Sequence, residues 1–190
     1  MPTEDLIRSV LSALREKGIV ASDETIKNSK QEYCSDFNDV YILETSNGKR
    51  VFVKTRASCA SMSLRDITDM FEGEFKGLQA MRSINTIRVP QPYATGTLDN
   101  GRGAFIAMEF IELDKHDMHN PQIQHKLGTQ LAKMHLAKGP DKFGFEINNT
   151  IGITPQDNTW NSSWIYFLRK RLLFQLELAE RYDSTALKNR

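Results

Sequence analysis

Apolar residues recur along the chain at two spacings, and each spacing predicts a different kind of element. Leu6, Ile7, Val10, Leu11 and Leu14 fall at helical steps and Gly18 follows them. That pattern predicts a short amphipathic helix with a stop signal. Residues 26–36 are polar and read as extended or looped. Residues 40–45 (VYILET) are rich in strand formers. Asn47-Gly48 comes next, the strongest short hairpin signal, and residues 51–55 form the returning strand. Residues 56–63 (RASCASMS) are small and polar and predict a loop. Periodicity predicts a helix of about five turns over residues 64–84. Pro90 and Pro92 close it off, because proline disfavours helix in the residue before it. Residues 93–98 and 104–111 predict two more strands around Asp99-Asn100-Gly101. Residues 112–120 (ELDKHDMHN) are nearly free of apolar side chains and read as a linker. Ile123, Leu127, Leu131 and Met134 mark another helix, and residues 141–161 read as irregular. A last helix, from Trp164 to about Tyr182, carries Leu168, Leu172, Gln175 and Leu176 on one face.

This order predicts an α+β layout, a small antiparallel sheet with one helix inserted after its third strand. Apolar residues make up 39% of the chain and charged residues 26%, which suits a soluble globular protein. A net charge of +1 gives no electrostatic case for nucleic acid or membrane as partner. No apolar run approaches the roughly 18 residues of a membrane helix. Glu4, Asp5 and Glu16 fit neither a secretory signal nor a transit peptide. Cys34 and Cys59 are too few for a disulfide scaffold. A cytoplasmic protein with reduced thiols is expected. His116, His119 and His125 match no zinc spacing, so no metal site is expected and the segment reads as solvated. His135 reads as structural at a helix end. Trp160 and Trp164 read as packing anchors, and Arg169-Lys170-Arg171 as a solvated helix face.

Residues 50–56 (RVFVKTR) read as a buried strand, yet it carries Lys54. Lysine is rarely buried without a partner. The long helix offers Glu72 and Glu74. Phe71, Phe75, Leu78 and Met81 lie at steps of four, three and three, and form its expected buried stripe. Glu74 stands three residues after Phe71 and four before Leu78, so it rides on that stripe. Glu72 neighbours Lys76 and Gln79 on the polar face. Glu74 is therefore the expected partner of Lys54. Two readings of the pair stay open. It can fix helix against sheet as an ion pair, or it can hold the lysine against the α- and β-phosphates of a nucleotide.

Seven blocks, taken in order, carry a resemblance. They are VFVK ending at Lys54, MFEGE (70–74), RVPQP (88–92), MEFIE (108–112), LGTQLAKMH (127–135), DKFGF (141–145) and IGITPQDNTWNSSWIYFLRKRLLFQL (151–176). Together they resemble the fructosamine kinase family, the protein-ribulosamine and fructosamine 3-kinases, relatives of aminoglycoside and choline kinases with a protein-kinase-like fold. The resemblance implies an ATP-dependent kinase that phosphorylates ketosamines at the sugar's third carbon. The phosphorylated adduct is unstable, so the protein amine is regenerated in a deglycation repair. Partners implied are a nucleotide and a glycated protein or small ketosamine. In such a kinase Lys54 would grip phosphates and Glu74 would hold it. Met108 would stand at the back of the adenine slot. Glu109, Phe110 and Ile111 would form the hinge whose backbone bonds adenine. Cys34 would lie in the phosphate loop, as a candidate redox thiol or an ordinary surface thiol.

On this resemblance the chain divides into an N-terminal helix (1–22), a kinase-like small lobe with lysine and hinge (23–111), and a linker with an incomplete large lobe (112–190). Two departures stand out. The expected phosphate loop, near residues 31–36 (QEYCSD), has no glycine, since none occurs between Gly18 and Gly48. Glycine lets backbone N–H groups approach phosphate, and Glu32 adds negative charge. The family's His-Gly-Asp-like catalytic loop, with its magnesium-binding Asn and later Asp, is also absent. No catalytic residue is therefore assigned, magnesium ligands are expected beyond this chain, and the chain alone is expected not to transfer phosphate. The alternative is a non-catalytic shortened relative that binds nucleotide or acts as an interaction module. Exposure of the Leu127, Leu131 and Met134 face would favour self-association.

Overall fold

A computed structural model describes residues 2–34, 38–113 and 120–182. The chain divides into two compact units, Met1–Ala137 and Lys138–Arg190. In the first unit, helix α1 (Glu4–Glu16) starts where Thr3 caps the backbone N–H of Leu6, and Glu4 and Asp5 sit in its first turn. Acidic residues there complement the helix dipole. Strands β1 (Ile26–Cys34), β2 (Asp39–Thr45) and β3 (Arg50–Ala57) follow. Gly48, at φ 79°, turns the chain between β2 and β3. Helix α2 (Leu64–Ser83) opens with a capping box in which Ser63 and Asp66 satisfy each other's backbone N–H. Strands β4 (Pro92–Thr97) and β5 (Gly103–Glu109) and helix α3 (Pro121–Leu136) complete the described part of this unit.

The five strands form one sheet in the order β1-β2-β3-β5-β4, with antiparallel neighbours throughout. The fold is α+β, as the order of elements predicts. Alternation along β3 decides what covers each face. Val51, Val53 and Thr55 are buried, whereas Phe52, Lys54 and Arg56 are half-buried. Val51 and Val53 join Leu43, Phe105 and Ala107 under Leu6, Val10 and Leu14 of α1. On the opposite face Phe52, Ile106 and Met108 meet Ile67 and Phe71 of α2. Ile67 and Phe71 are both 0% exposed, and each such side chain contributes roughly 1.5–3 kcal/mol by leaving water. Arg8 and Ser9 of α1 tie it to Asp99 in the β4–β5 turn, at 2.7 and 2.9 Å.

One open reading for this unit is resolved and one expectation is corrected. Residues 26–34, read as extended or looped, are extended and pair with β2 as a strand. Strand β1 lies at the sheet edge, where only Ile26 and Ser29 of its described side chains are even half-buried. An edge strand buried on neither face has no apolar alternation to read. The buried stripe of α2 is Ile67 and Phe71, with Phe75 and Leu78 partly buried against it. Met81, in the last turn, is 38% exposed. Most of the expected linker at residues 112–120, including His116 and His119, lies outside the described residues.

The second unit carries a short hairpin, β6 (Asn149–Ile151) and β7 (Thr154–Gln156), where an irregular stretch was expected. Its helix α4 (Trp164–Tyr182) turns Phe167, Arg171, Phe174, Gln175 and Leu178 inward. Leu168, Leu172 and Leu176 are exposed, so the expected apolar face is largely the outer one. No described helix is long and apolar enough to cross a membrane.

Candidate functional site

The register of the sheet places Lys54 between Val40 of β2 and Ile106 of β5. Its side chain leaves the face that α2 covers. Lys54 Nζ donates to Glu74 Oε1 at 2.5 Å. Helical spacing thus selected the right acid, and Glu72 stands exposed on the outer face. The expectation of full burial does not hold, because the two side chains are 29% and 30% exposed. Among the described residues Glu74 is the hydrogen-bond partner of Lys54. An ammonium has three N–H donors, so two remain for a ligand approaching from the open side.

Met108 is buried next to Phe52 and ends the apolar row on the α2 face of β5. Glu109 closes the strand. Its backbone N–H donates to Gln91 O at 2.8 Å and is not free for a ligand. Its carboxylate accepts from Arg88 at 2.5 Å and from the Gln91 N–H at 3.1 Å, with Arg82 at 3.9 Å. Burial alone would raise the Glu109 carboxyl. The Gln91 and Arg88 hydrogen bonds and the two arginine charges outweigh burial and hold it below the usual range. Phe110 and Ile111 lie beyond the strand, half-buried. The Val51–Glu109 pair that ends the ladder turns the Phe110 N–H toward Arg50 O, and among the described residues no backbone hydrogen bond outside the ladder engages the Phe110 C=O or either group of Ile111. The Phe110 C=O and the Ile111 N–H and C=O are left without a backbone partner among the described residues, which is the condition under which a ligand edge can satisfy them. Arg50, Arg82, Arg88 and Gln91 were not singled out from the sequence. Arg88 and Glu109 lie 21 residues apart, and only the β4–β5 turn brings them together.

Residues 31–34, expected in a phosphate loop, are the end of β1. Glu32 is paired with Lys30 at 2.5 Å, so part of its negative charge is compensated locally. Cys34 is the last residue of that strand, and its side chain lies outside the described residues. Cys59 is an exposed free thiol. Its pKa is lowered, first by the Ser61 hydroxyl hydrogen bond. Among the described residues no three His, Cys, Asp or Glu side chains cluster as metal ligands would.

The sequence profile of the fructosamine kinase family matches residues 12–189. The chain belongs to the fructosamine kinase family. It is 51% identical over 123 residues to the chloroplastic protein-ribulosamine 3-kinase of Oryza sativa subsp. indica, covering 62% of this chain and 34% of that protein. It is 47% identical over 139 residues to the protein of the same name from Arabidopsis thaliana, covering 72% of this chain and 39% of that one. The backbone superimposes with a TM-score of 0.68 on a crystal structure assigned as a fructosamine-3-kinase from Haemophilus somnus 129PT. That match is 24% identical and covers 85% of this chain and 50% of the other. The match shows the fold, and the chain spans about half the solved structure and about a third of the rice protein.

Two of the blocks that carry the family resemblance meet in the second unit. Asn158 is 4% exposed. It bonds Ile147 O at 3.0 Å and Asn149 Oδ1 at 2.8 Å, and Arg171 of α4 donates to its side-chain oxygen. Lys170 pairs with Asp157 at 2.7 Å. The Lys170 and Thr159 hydrogen bonds pull the Asp157 carboxyl down to about 2. Lys170 and Arg171 therefore hold the TPQDNTW loop, which corrects their reading as a solvated face. Gly144, in DKFGF, sits at φ 150°, and a Cβ there would stand 2.7 Å from Asn158 O. Only glycine tolerates both constraints, which couples the two blocks. The Trp164 ring packs tilted against Phe143, with centroids 5.4 Å apart, while remaining half exposed.

Proposed function

We propose that this chain is the nucleotide-holding part of an ATP-dependent kinase that phosphorylates ketosamines, protein-bound ribulosamine or fructosamine, on the sugar 3-hydroxyl. The outcome for the glycated protein is removal of the adduct. Family membership and the names of the plant relatives support the reaction class. The observation that carries the reading is the partly exposed Lys54–Glu74 pair on the strand whose other end meets a stretch of unpaired backbone at residues 110–111. ATP supplies the phosphoryl group. Lys54 supplies two N–H donors and a positive charge to its phosphates. Glu74 holds that ammonium in one position, so ordering it costs little when the phosphates arrive. The Phe110 C=O and the Ile111 N–H and C=O serve the adenine edge, with Met108 as the apolar floor. The described residues offer magnesium no cluster of ligands, so no role in this chain is tied to the ion. Orientation of the sugar hydroxyl is likewise assigned to none of these residues. We place the reaction in the cytoplasm.

The test is a calorimetric titration of Mg-ATP into the chain and into Lys54→Ala. The proposal expects saturable binding that the substitution weakens by at least about tenfold, the scale of a lost charge-assisted contact. Equal binding by the two proteins would leave the pair as a helix–sheet clamp alone.

A further inference from the structure

The ladder between β3 and β5 ends at Val51 opposite Glu109. One residue further, Arg50 reaches past the end of the ladder. Its guanidinium carbon lies 4.5 Å from the centre of the Phe110 ring. Its Nη2 donates to Glu112 Oε2 at 3.0 Å. One side chain thus grips two residues of the segment that leaves β5. It does so from β3, the strand that also carries Lys54. Both grips are on side chains, so the Phe110 C=O and the backbone groups of Ile111 stay available.

Stability does not account for this arrangement. The Arg50 and Glu112 side chains are 44% and 75% exposed, and exposed ion pairs contribute little. What the contacts do is narrow the conformations open to residues 110–112. Free backbone groups on a mobile segment would bind a ligand at an ordering cost, and a segment already held in place avoids most of it. Glu109 is fixed from the other side by Arg88 and Gln91, so restraint reaches the segment from both flanks. The chemistry requires arginine. A planar guanidinium can stack on a ring and pair with a carboxylate at once, whereas an ammonium makes a point contact.

We propose that Arg50 is a positioning residue for adenine recognition, holding Phe110 and Glu112 so that the backbone between them is preset for the base. This rests on the nucleotide reading above. It assigns the two halves of a nucleotide to two points on β3, with the base at the Arg50 end and the phosphates at Lys54 in mid-strand.

The split between base and phosphates supplies the test. Binding of Mg-ATP and of Mg-tripolyphosphate, which lacks the nucleoside, is measured on the 190-residue chain and on Arg50→Ala, Arg50→Lys, Glu112→Gln and Lys54→Ala. Arg50→Ala is expected to weaken ATP roughly tenfold and leave tripolyphosphate unchanged. Arg50→Lys and Glu112→Gln should fall between Arg50→Ala and the parent. Lys54→Ala should weaken both ligands. Unchanged ATP affinity in Arg50→Ala, or an equal loss for both ligands, overturns the inference. If the parent chain binds no ATP, the nucleotide reading itself fails. Arg50 is then judged on amide exchange of residues 110–112 without ligand. Faster exchange there in Arg50→Ala, with β3 unchanged, keeps the clamp, and unchanged exchange removes it.

Discussion

Asp157→Asn isolates one charge within the second unit. The native carboxylate accepts from Lys170 Nζ at 2.7 Å, and from Thr159 N and Oγ1 at 2.8 and 2.6 Å. An asparagine oxygen can still accept from Thr159, so the substitution removes the charge and leaves the loop's own hydrogen bonds. The carboxyl titrates at about 2 instead of the ordinary 3.8. The whole difference corresponds to a ceiling of about 2.5 kcal/mol. Asp157 is 28% exposed, and solvent screening reduces the figure to about 1 kcal/mol. Because the folded value is depressed, this stability is present above the unfolded value of 3.8 and lost as pH falls through about 2. Trp160 and Trp164 are the chain's two tryptophans and both belong to the Asp157 unit. Urea unfolding followed by tryptophan fluorescence therefore reads this unit directly. At pH 7 Asp157→Asn should lose about 1 kcal/mol, and most of the gap should close by about pH 2. Equal stability at pH 7, or a gap that persists unchanged in acid, would refute the charge argument.

Three further outcomes are expected. Phe71→Ala removes a side chain that is 0% exposed between α2 and the sheet, and should cost about 3–5 kcal/mol in denaturant unfolding followed by circular dichroism. A loss below about 1 kcal/mol would contradict the packing described. Glu74→Gln should change stability by less than about 1 kcal/mol, because the pair is half exposed. The same variant should bind Mg-ATP several-fold more weakly by calorimetry. A large stability loss without an affinity change would make the pair structural. On α3, Ile123, Leu127 and Leu131 are 42%, 52% and 38% exposed. Sedimentation should show self-association of the chain that Leu127→Lys with Leu131→Lys reduces, and a monodisperse parent would remove that expectation.

The parts of the fold legible in the sequence are those buried on one face. The α1 stripe and the Lys54–Glu74 pairing each follow from a period that burial imposes, and the Asn47-Gly48 turn follows from the positive φ that Gly48 supplies. Strand β1 could be read only as extended or looped, because edge strands need no apolar face. The inward face of α4 was hidden for the opposite reason. Leu168, Leu172 and Leu176 form the more apolar row, yet the side packed on the unit's own loops is Phe167, Arg171 and Phe174. There polar anchoring of Asp157 and Asn158 outweighs hydropathy. The arginines around residues 109–112 were illegible because their partners lie far away in sequence. Arg88 meets Glu109 only through the turn between β4 and β5, and Arg50 meets Glu112 across 62 residues through the β3–β5 pairing. No local period records such contacts.

The central claim is that a nucleotide phosphate rests on Lys54. Acetylation of lysine side chains, followed residue by residue with mass spectrometry, tests it without requiring turnover. Mg-ATP at ten times its dissociation constant should slow acetylation of Lys54 about tenfold, while the exposed Lys142 reacts at an unchanged rate. An unchanged rate at Lys54 under saturating ATP would contradict the account, and slowing at both lysines alike would show that the nucleotide acts without touching this site.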